Sequence, residues 1–109
     1  MGKDDVDALV VVNDEKAQQF QIRAEGQLAL IQYAYSNGSI VFVHTEVPPA
    51  LEGRGIAGKL ARAALEFARE RKLSVIPRCP FVAAYIRKHP EYQSLVHPDE
   101  INRVLGKPS

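Results

Sequence analysis

Three glycines within six residues give the segment 52–60, EGRGIAGKL, the spacing of a phosphate-binding loop. Gly53, Gly55 and Gly58 form the dinucleotide fingerprint G-x-G-x-x-G, and the stretch ending at Lys59 forms a P-loop, G-x-x-x-x-G-K, without its Ser or Thr. Loops of this kind hold phosphate on backbone N–H groups at the start of a helix. The segment therefore predicts an anion site, and its surroundings must decide which ligand it takes.

Two ionisable side chains lie close together in an alternating segment, Ile40 to Val47. Alternation places Ile40, Phe42, His44 and Glu46 on one face of a strand. The other face then carries Val41, Val43, Thr45 and Val47. His44 next to a reactive carbonyl would serve as a general base, with Glu46 as a base acting through water. The competing interpretation is that both side chains face solvent and have no chemical role.

Cys79 is the only cysteine of the chain, which excludes an internal disulfide and any metal site built from several cysteines. Pro80 follows it and suits the first position of a helix, so Cys79 is predicted to be the N-cap. The helix N-terminus and Arg78 would both favour a thiolate there. A lone cysteine is also a common buried apolar residue, and that alternative stays open.

The first half of the chain is predicted to supply antiparallel strands. Glu25-Gly26 and Asn37-Gly38 are hairpin signals between alternating segments. The strand candidates are Ala8–Val12, Phe20–Ala24, Leu28–Tyr35 and Ile40–Val47.

The second half is predicted to be mainly helical. Apolar residues at spacings of four and three make residues 55–71 an amphipathic helix. The remaining candidates are a strand at Leu73–Ile76, a helix at Pro80–His89, a possible strand at Tyr92–Val96 and a terminal helix at Asp99–Leu105.

These elements predict one α+β domain spanning residues 1–109, with an antiparallel meander joined to one parallel βαβ crossover. Parallel strands open a crevice at their carboxyl ends, which is where His44 and Cys79 would lie. A dinucleotide fold needs several more βα units, and a P-loop needs the Ser or Thr that Leu60 replaces. A third interpretation, in which the glycines only let the chain turn into a helix, explains three of them poorly.

The loop also nearly matches a further pattern, Q/R-x-x-G-x-G/A, through Gly55 and Ala57, with Glu52 in place of Gln or Arg. Together with H-T-x-V-P at 44–48, G-x-G-I/L-A at 53–57 and S-V-I-P-x-C at 74–79, it makes residues 44–92 resemble the GNAT superfamily of N-acetyltransferases. The closest resemblance is to its minimal single-domain branch. The resemblance implies acetyl-CoA as co-substrate and a V-shaped splay between the two parallel strands.

The resemblance also implies a set of binding residues. The pyrophosphate of coenzyme A would rest on the loop N–H groups, with charged contacts from the side chains of Arg54 and Lys59. The loop residues concerned are Gly53, Arg54, Gly55, Ile56, Ala57, Gly58 and Lys59. The pantetheine arm would pair with the backbone of Thr45, Glu46 and Val47. The acid at Glu52 is a departure that puts negative charge near the pyrophosphate.

For catalysis, the resemblance places Cys79 and His44 near the acetyl group. In direct transfer, the favoured route, His44 or Glu46 deprotonates the acceptor amine and Cys79 lines the site or protonates the departing thiolate. In the alternative, Cys79 carries the acetyl group covalently. Tyr85 on the second helix is a general-acid candidate, or else a half-buried packing residue.

The expected function is therefore N-acetylation of a primary amine, and the alternatives are a non-catalytic acyl-CoA-binding module or an interaction domain. A formal charge of +1 gives no sign of a nucleic-acid surface. No apolar run is long enough for a membrane span, and no signal peptide is recognised, so we expect a soluble cytoplasmic domain. We expect no metal, and a small open sheet is compatible with a monomer.

Overall fold

The computed structural model describes residues 8–106. Five strands form one sheet whose spatial order follows the chain, from β1 to β5. The strands are β1 (Val12–Asp14), β2 (Gln19–Ala24), β3 (Gln27–Ser36), β4 (Ser39–Glu46) and β5 (Ser74–Pro77). The pairs β1–β2, β2–β3 and β3–β4 are antiparallel, whereas β4–β5 is parallel. The predicted mixed α+β sheet, an antiparallel meander with one parallel crossover, is confirmed.

Both predicted hairpin turns are present. Glu25 and Gly26 have φ of 53° and 75°, and Asn37 and Gly38 have φ of 47° and 81°. Two consecutive residues with positive φ are the mark of the two-residue turns that match the twist of the flanking strands. These turns fix the register of the meander, ending with Ala24 opposite Gln27 and Ser36 opposite Ser39.

The first strand lies later than the sequence predicted. Residues Ala8–Val12 were expected to be extended, but β1 begins only at Val12. The reason is the turn that follows it, in which the N–H of Ala17 donates to Asp14 Oδ1 at 3.1 Å and Gln18 has φ of 57°. This turn fixes Asp14 opposite Gln19, so polar residues pair with β2 while Val10 stays 71% exposed.

Three helices follow the meander: α1 (Ile56–Glu70), α2 (Pro80–Lys88) and α3 (Ile101–Leu105). Short 3-10 turns occupy Pro49–Leu51, Pro90–Leu95 and Pro98–Glu100. The predicted helices over 55–71, 80–89 and 99–105 are confirmed to within two residues. No helix within residues 8–106 is long and apolar enough to cross a membrane.

The predicted strand at Tyr92–Val96 is wrong. Pro90 starts a 3-10 helix instead, because its fixed φ suits the first helical position. The N–H of Tyr92 donates to the His89 carbonyl at 3.0 Å, which closes the first turn. Only Val96 keeps a strand-like contact, an isolated parallel bridge to Val75.

One face of the sheet carries the hydrophobic core. Phe20 of β2 and Tyr33 of β3 pack with Phe67 of α1, with ring centroids 5.2 to 6.4 Å apart. Ile40 and Phe42 of β4 are fully buried in the same cluster. Edge-on and tilted aromatic contacts of this kind stabilise a core beyond the area that they bury.

The opposite face of the sheet is only partly covered. Leu30 and Ala34 of β3 are half-buried there, and Gln32 between them is exposed. Cross-strand partners point to the same side of a sheet, and the register places Gln32 opposite His44 and Leu30 opposite Glu46. The side chains of His44 and Glu46 therefore project from this less covered face.

Candidate active site

The two parallel strands separate at the end where the candidate residues lie. Pairing between β4 and β5 ends with Phe42 opposite Pro77, and the N–H of Cys79 adds a last bond to the Phe42 carbonyl at 2.9 Å. Strand β4 continues beyond that point to Glu46 while the chain after β5 turns into α2. The result is the V-shaped splay that the family resemblance implied.

A cavity of about 710 Å³ opens at this splay. It brings together His44, Glu46 and Cys79, which the sequence had placed at one crevice. Its full lining is Val43, His44, Thr45, Glu46, Val47, Pro48, Glu52, Ala57, Cys79, Pro80 and Phe81.

A β-bulge in β4 changes which side chains share a face. Phe42 lies opposite Tyr33 and His44 opposite Gln32, so Val43 is an extra residue without a partner on β3. An extra residue reverses the alternation beyond it. The prediction that His44 shares a face with Phe42 is therefore wrong, whereas the prediction that His44 and Glu46 share one face is confirmed.

His44 and Glu46 are in contact through their side chains. The ring nitrogen Nε2 of His44 lies 3.0 Å from Glu46 Oε2, and the two side chains are 52% and 61% exposed. In the tautomer with the hydrogen on Nε2, that nitrogen donates to Glu46 Oε2 and Nδ1 holds the lone pair. In that form, the pair can present an oriented, accessible base at the crevice.

Cys79 is the N-cap of α2, as predicted, with Pro80 in the first helical position. Its side chain is 2% exposed and makes no capping hydrogen bond to the helix. Instead, Sγ lies 2.9 Å from the hydroxyl of Thr45 across the splay. Thr45 lies opposite buried Ile31 and so points to the core side of the sheet.

The glycine loop leads into α1 in the conformation that a phosphate cradle needs. Gly53 and Gly55 have φ of 79° and 80°, values that residues with a Cβ rarely adopt. Gly55 is the N-cap, and no side chain caps the helix or places an acid in its first turn within the described chain. The first intrahelical bond is from the Lys59 N–H to the Gly55 carbonyl, which leaves the amides of Ile56, Ala57 and Gly58 without helical acceptors.

Gly58 differs from the other two glycines in its surroundings. It lies inside the helix, and a Cβ added there would be 3.7 Å from the ring of Tyr85, an ordinary contact distance. The packing of α2 against α1 therefore does not require glycine at this position.

Two charged side chains of the loop, Arg54 and Glu52, have different surroundings. Arg54 is paired with Glu25 of the β2–β3 turn, with Nη2 2.6 Å from Oε2. This ion pair ties the loop to the meander. Glu52 is exposed and lines the crevice, next to the region that also contains Glu46.

A second cavity, of about 550 Å³, runs between the glycine loop and α2. Its lining includes Gly53, Gly55, Tyr85, Lys88 and His89. Four residues line both cavities, so the cavity beside the glycine loop and the cavity that contains Cys79 are adjacent. These shared residues are Val47, Glu52, Ala57 and Phe81.

Tyr85 lies in this second cavity and does not line the one that holds His44 and Cys79. Its ring stacks on His89 with centroids 3.8 Å apart. Burial raises the pKa of the Tyr85 hydroxyl above its ordinary value of 10.0, so the phenol is protonated at neutral pH. Three basic residues follow Tyr85: Arg87, Lys88 and His89. Lys88 and His89 line this cavity, whereas Arg87 does not and instead donates to the Val104 carbonyl at 2.8 Å.

Sequence reasoning missed the side chains of Thr45 and Phe81. The sequence predicted only a backbone role for Thr45. The bulge that turns its hydroxyl towards Cys79 arises from the pairing of β4 with β3, which the sequence of β4 does not show. Phe81 lies two positions after the N-cap, where an aromatic residue is visible in the sequence, and in the structure it is 36% exposed and lines both cavities. Within residues 8–106, no group of three or more His, Cys, Asp or Glu side chains is arranged to hold a metal.

Comparisons with known proteins cover the whole of this site. A family model described as GCN5-related N-acetyl-transferase matches residues 19–95. Protein NATD1 of Gallus gallus is 41% identical over 90 residues, which cover 80% of this chain and 82% of that protein. Protein NATD1 of Homo sapiens is 40% identical over 88 residues, covering 78% of each chain. Protein NATD1 of Danio rerio is 36% identical over 100 residues, covering 89% of this chain and 86% of the relative.

Proposed function

The chain belongs to the GCN5-related N-acetyltransferase family, and from this premise we propose that it transfers the acetyl group of acetyl-CoA to a primary amine. The observation that carries the proposal is the pair of adjacent cavities, one beside the glycine loop and one at the crevice of His44 and Cys79, which share four lining residues. A molecule with phosphates at one end and a thioester at the other would use both cavities. Members of the family use acetyl-CoA, which has this form.

The glycine loop would hold the pyrophosphate. The amides of Ile56, Ala57 and Gly58 have no acceptor within α1, and the positive end of the helix dipole lies at the same place. The side chain of Lys59 adds a positive charge one residue further along. Backbone donors and a helix N-terminus together make a strong anion site without a capping side chain.

The splayed part of β4 would hold the pantetheine arm. Beyond Phe42, the backbone of β4 has no partner on β5, so the amide and carbonyl groups around Thr45, Glu46 and Val47 are available on that side. An extended arm with two amide groups would add to this edge as a further strand. The thioester would then lie beside Cys79 and His44.

The chemistry follows from the groups at the crevice. Nδ1 of His44 removes a proton from the acceptor ammonium, and the neutral amine attacks the thioester carbonyl carbon. The new C–N bond forms as the C–S bond breaks, the nitrogen loses its second proton to water, and the Cys79 thiol gives its proton to the departing CoA thiolate. Exchange with water afterwards returns the proton from His44 to solvent and one to Cys79.

The acceptor is proposed to be cationic before it reacts. Glu46 and Glu52 both line the crevice, and both are exposed there. Two carboxylates near the reaction centre attract an ammonium group and repel an anionic acceptor. A carboxylate at Glu52 would repel a phosphate, but it would attract the ammonium group of the acceptor, which gives a reason for an acid at this position.

The proposal is tested by mixing the protein with acetyl-CoA and a panel of amines, and measuring release of free CoA. We expect turnover that falls about 100-fold or more in His44→Ala, since positioned general bases contribute that much. His97→Ala is the matched control, because His97 accepts from the Asp99 amide and lines neither cavity. Binding of acetyl-CoA without turnover with any amine would instead indicate a non-catalytic acyl-CoA-binding module.

A further inference from the structure

The side chain of Thr45 is the hydrogen-bond partner that the structure gives to the Cys79 sulfur. Oγ1 of Thr45 lies 2.9 Å from Sγ, and the two residues are separated by 34 positions in sequence. Thr45 is half-buried, whereas Cys79 is 2% exposed. The contact spans the splay between β4 and the start of α2, within the cavity that both residues line.

The contact depends on the β-bulge in β4. Phe42 and Thr45 face the core side, as do their partners Tyr33 and Ile31, although three positions separate them in sequence. In a regular strand, residues an odd number apart point to opposite faces. The extra residue, Val43, is therefore what brings the Thr45 hydroxyl to the same side as Cys79.

Helix α2 does not determine where the sulfur points. An N-cap side chain normally accepts from an amide in the first turn, but Cys79 makes no such bond. A hydroxyl is a better hydrogen-bond donor than a thiol, and a thiolate is a better acceptor than a thiol. When Cys79 has given up its proton, Thr45 is therefore the donor of this pair.

We propose that Thr45 is a positioning residue that holds the Cys79 sulfur in the crevice through the hydrogen bond between its hydroxyl and Sγ, and that donates to the sulfur once Cys79 has given up its proton. Its use in acetyl transfer rests on the proposed function. When the Cys79 thiol protonates the departing CoA, the thiolate left behind is stabilised by Thr45. If Cys79 carried the acetyl group instead, the same hydrogen bond would stabilise the attacking thiolate, so the role is common to both routes.

The first test measures alkylation and needs no acetyl-CoA. Because Cys79 is the only cysteine, iodoacetamide adds one group to the intact protein, which mass spectrometry follows with time. Thr45→Val keeps the shape and the backbone but removes the donor, and we expect alkylation about tenfold slower, the effect of one hydrogen bond to a charged group. Thr45→Ser restores the hydroxyl and should alkylate within about twofold of the unmodified chain.

Equal or faster alkylation of Thr45→Val would overturn the proposal, and so would a Thr45→Ser variant as slow as Thr45→Val. Circular dichroism verifies that each variant is folded. If Thr45→Val does not fold, Thr45→Ala gives the same comparison, since it also lacks the donor.

The second test uses turnover. Thr45→Val should lower kcat for acetyl transfer about tenfold and leave the KM for acetyl-CoA unchanged, because the backbone groups proposed to bind pantetheine are retained. A rise in KM with unchanged kcat would show a binding role and contradict the proposal. If the protein shows no turnover at all, the proposed function fails while the alkylation result still decides the role of Thr45.

Discussion

His44 Nε2 lies 3.0 Å from Glu46 Oε2, two residues further along the same strand and on the same face. In the tautomer with the hydrogen on Nε2, this nitrogen donates to the carboxylate and Nδ1 is left with the lone pair. Under the proposed function, His44 is the base and Glu46 is the group that orients it. Each of their roles can be separated by substitution.

We expect His44→Gln to lower kcat by about 100-fold or more, since the amide cannot accept the proton from the acceptor. Glu46→Gln should lower it by less, because the amide oxygen still accepts from Nε2 and keeps the ring oriented. Steady-state rates with a saturating amine give both values. A larger loss in Glu46→Gln than in His44→Gln would identify Glu46 as the base and contradict the assignment.

The glycines of the loop are expected to differ in their tolerance of a methyl group. Gly55→Ala should lower the free energy of unfolding by about 1–2 kcal/mol, because φ of 80° is unfavourable for a residue with a Cβ. It should also weaken binding of CoA, which calorimetry measures.

Gly58→Ala is the matched control for the loop. Its added methyl would make an ordinary contact with Tyr85 at 3.7 Å, and alanine stabilises a helix interior by about 0.5–1 kcal/mol relative to glycine. We expect its unfolding free energy to be unchanged or higher. Equal destabilisation by both substitutions would show that backbone conformation is not what Gly55 supplies.

Glu52 is expected to act on the acceptor and not on coenzyme A. Glu52→Gln should raise the KM for a cationic amine about two- to fivefold, the usual strength of an exposed ion pair, while CoA binds no more weakly. The difference in KM between Glu52→Gln and the unmodified chain should become smaller at high salt, because exposed charges are screened. Glu70→Gln makes the same charge change at the far end of α1 and should leave both constants unchanged. Weaker CoA binding in Glu52→Gln would contradict this role.

Tyr85 was a candidate general acid, and its position allows a direct test. The hydroxyl belongs to the cavity beside the glycine loop, so we expect Tyr85→Phe to lower kcat by less than about threefold, well below the contribution of a general acid. The ring, which packs near Gly58 and stacks on His89, is kept in this variant. A 100-fold loss of kcat would restore the catalytic assignment.

Tyr92 links α1 to the chain after α2 and should make stability depend on alkaline pH. Its hydroxyl donates to Glu66 Oε2 at 2.8 Å, and burial, followed by this hydrogen bond, raises the pKa of Tyr92 to about 12. The unfolded chain loses the phenolic proton near 10.0, before the folded protein does, so the stabilisation is complete below pH 10.0 and is lost as pH rises towards about 12.

In urea unfolding at neutral pH, we expect Tyr92→Phe to be less stable by about 1 kcal/mol, the usual net value of one hydrogen bond. The difference between the two proteins should narrow as the pH is raised from 10.0 towards 12. A constant difference across that range would show that Tyr92 does not titrate differently in the folded state.

The sequence was sufficient to predict the meander, the crossover and the loop, because each depends on local signals. Asn37-Gly38 forces a two-residue turn, and the apolar spacing of α1 matches one buried face. Both features depend on residues that are close together in the chain, so the local sequence is enough to predict them. The N-cap at Cys79 was predictable for the same reason, since Pro80 fixes the first helical position.

The features that could not be predicted depend on distant partners. Residues 40–47 alternate without interruption, and the bulge at Val43 arises only from the register that β4 adopts against β3. For this reason, the contact between Thr45 and Cys79 could not be predicted from the sequence. At Tyr92, β-favourable residues are overridden by Pro90, which starts a helical turn. Long-range register and competing turn chemistry therefore account for the main differences.

The order of the strands in the sheet affects how the chain folds. Strands β1, β2 and β3 each pair with the next strand along the chain through short turns, so their contacts close small loops. The pairing of β4 with β5 must instead close a loop that contains all of α1, at a higher cost in chain entropy. The crevice lies where this pairing ends, so it is complete only when the chain has closed this longer loop.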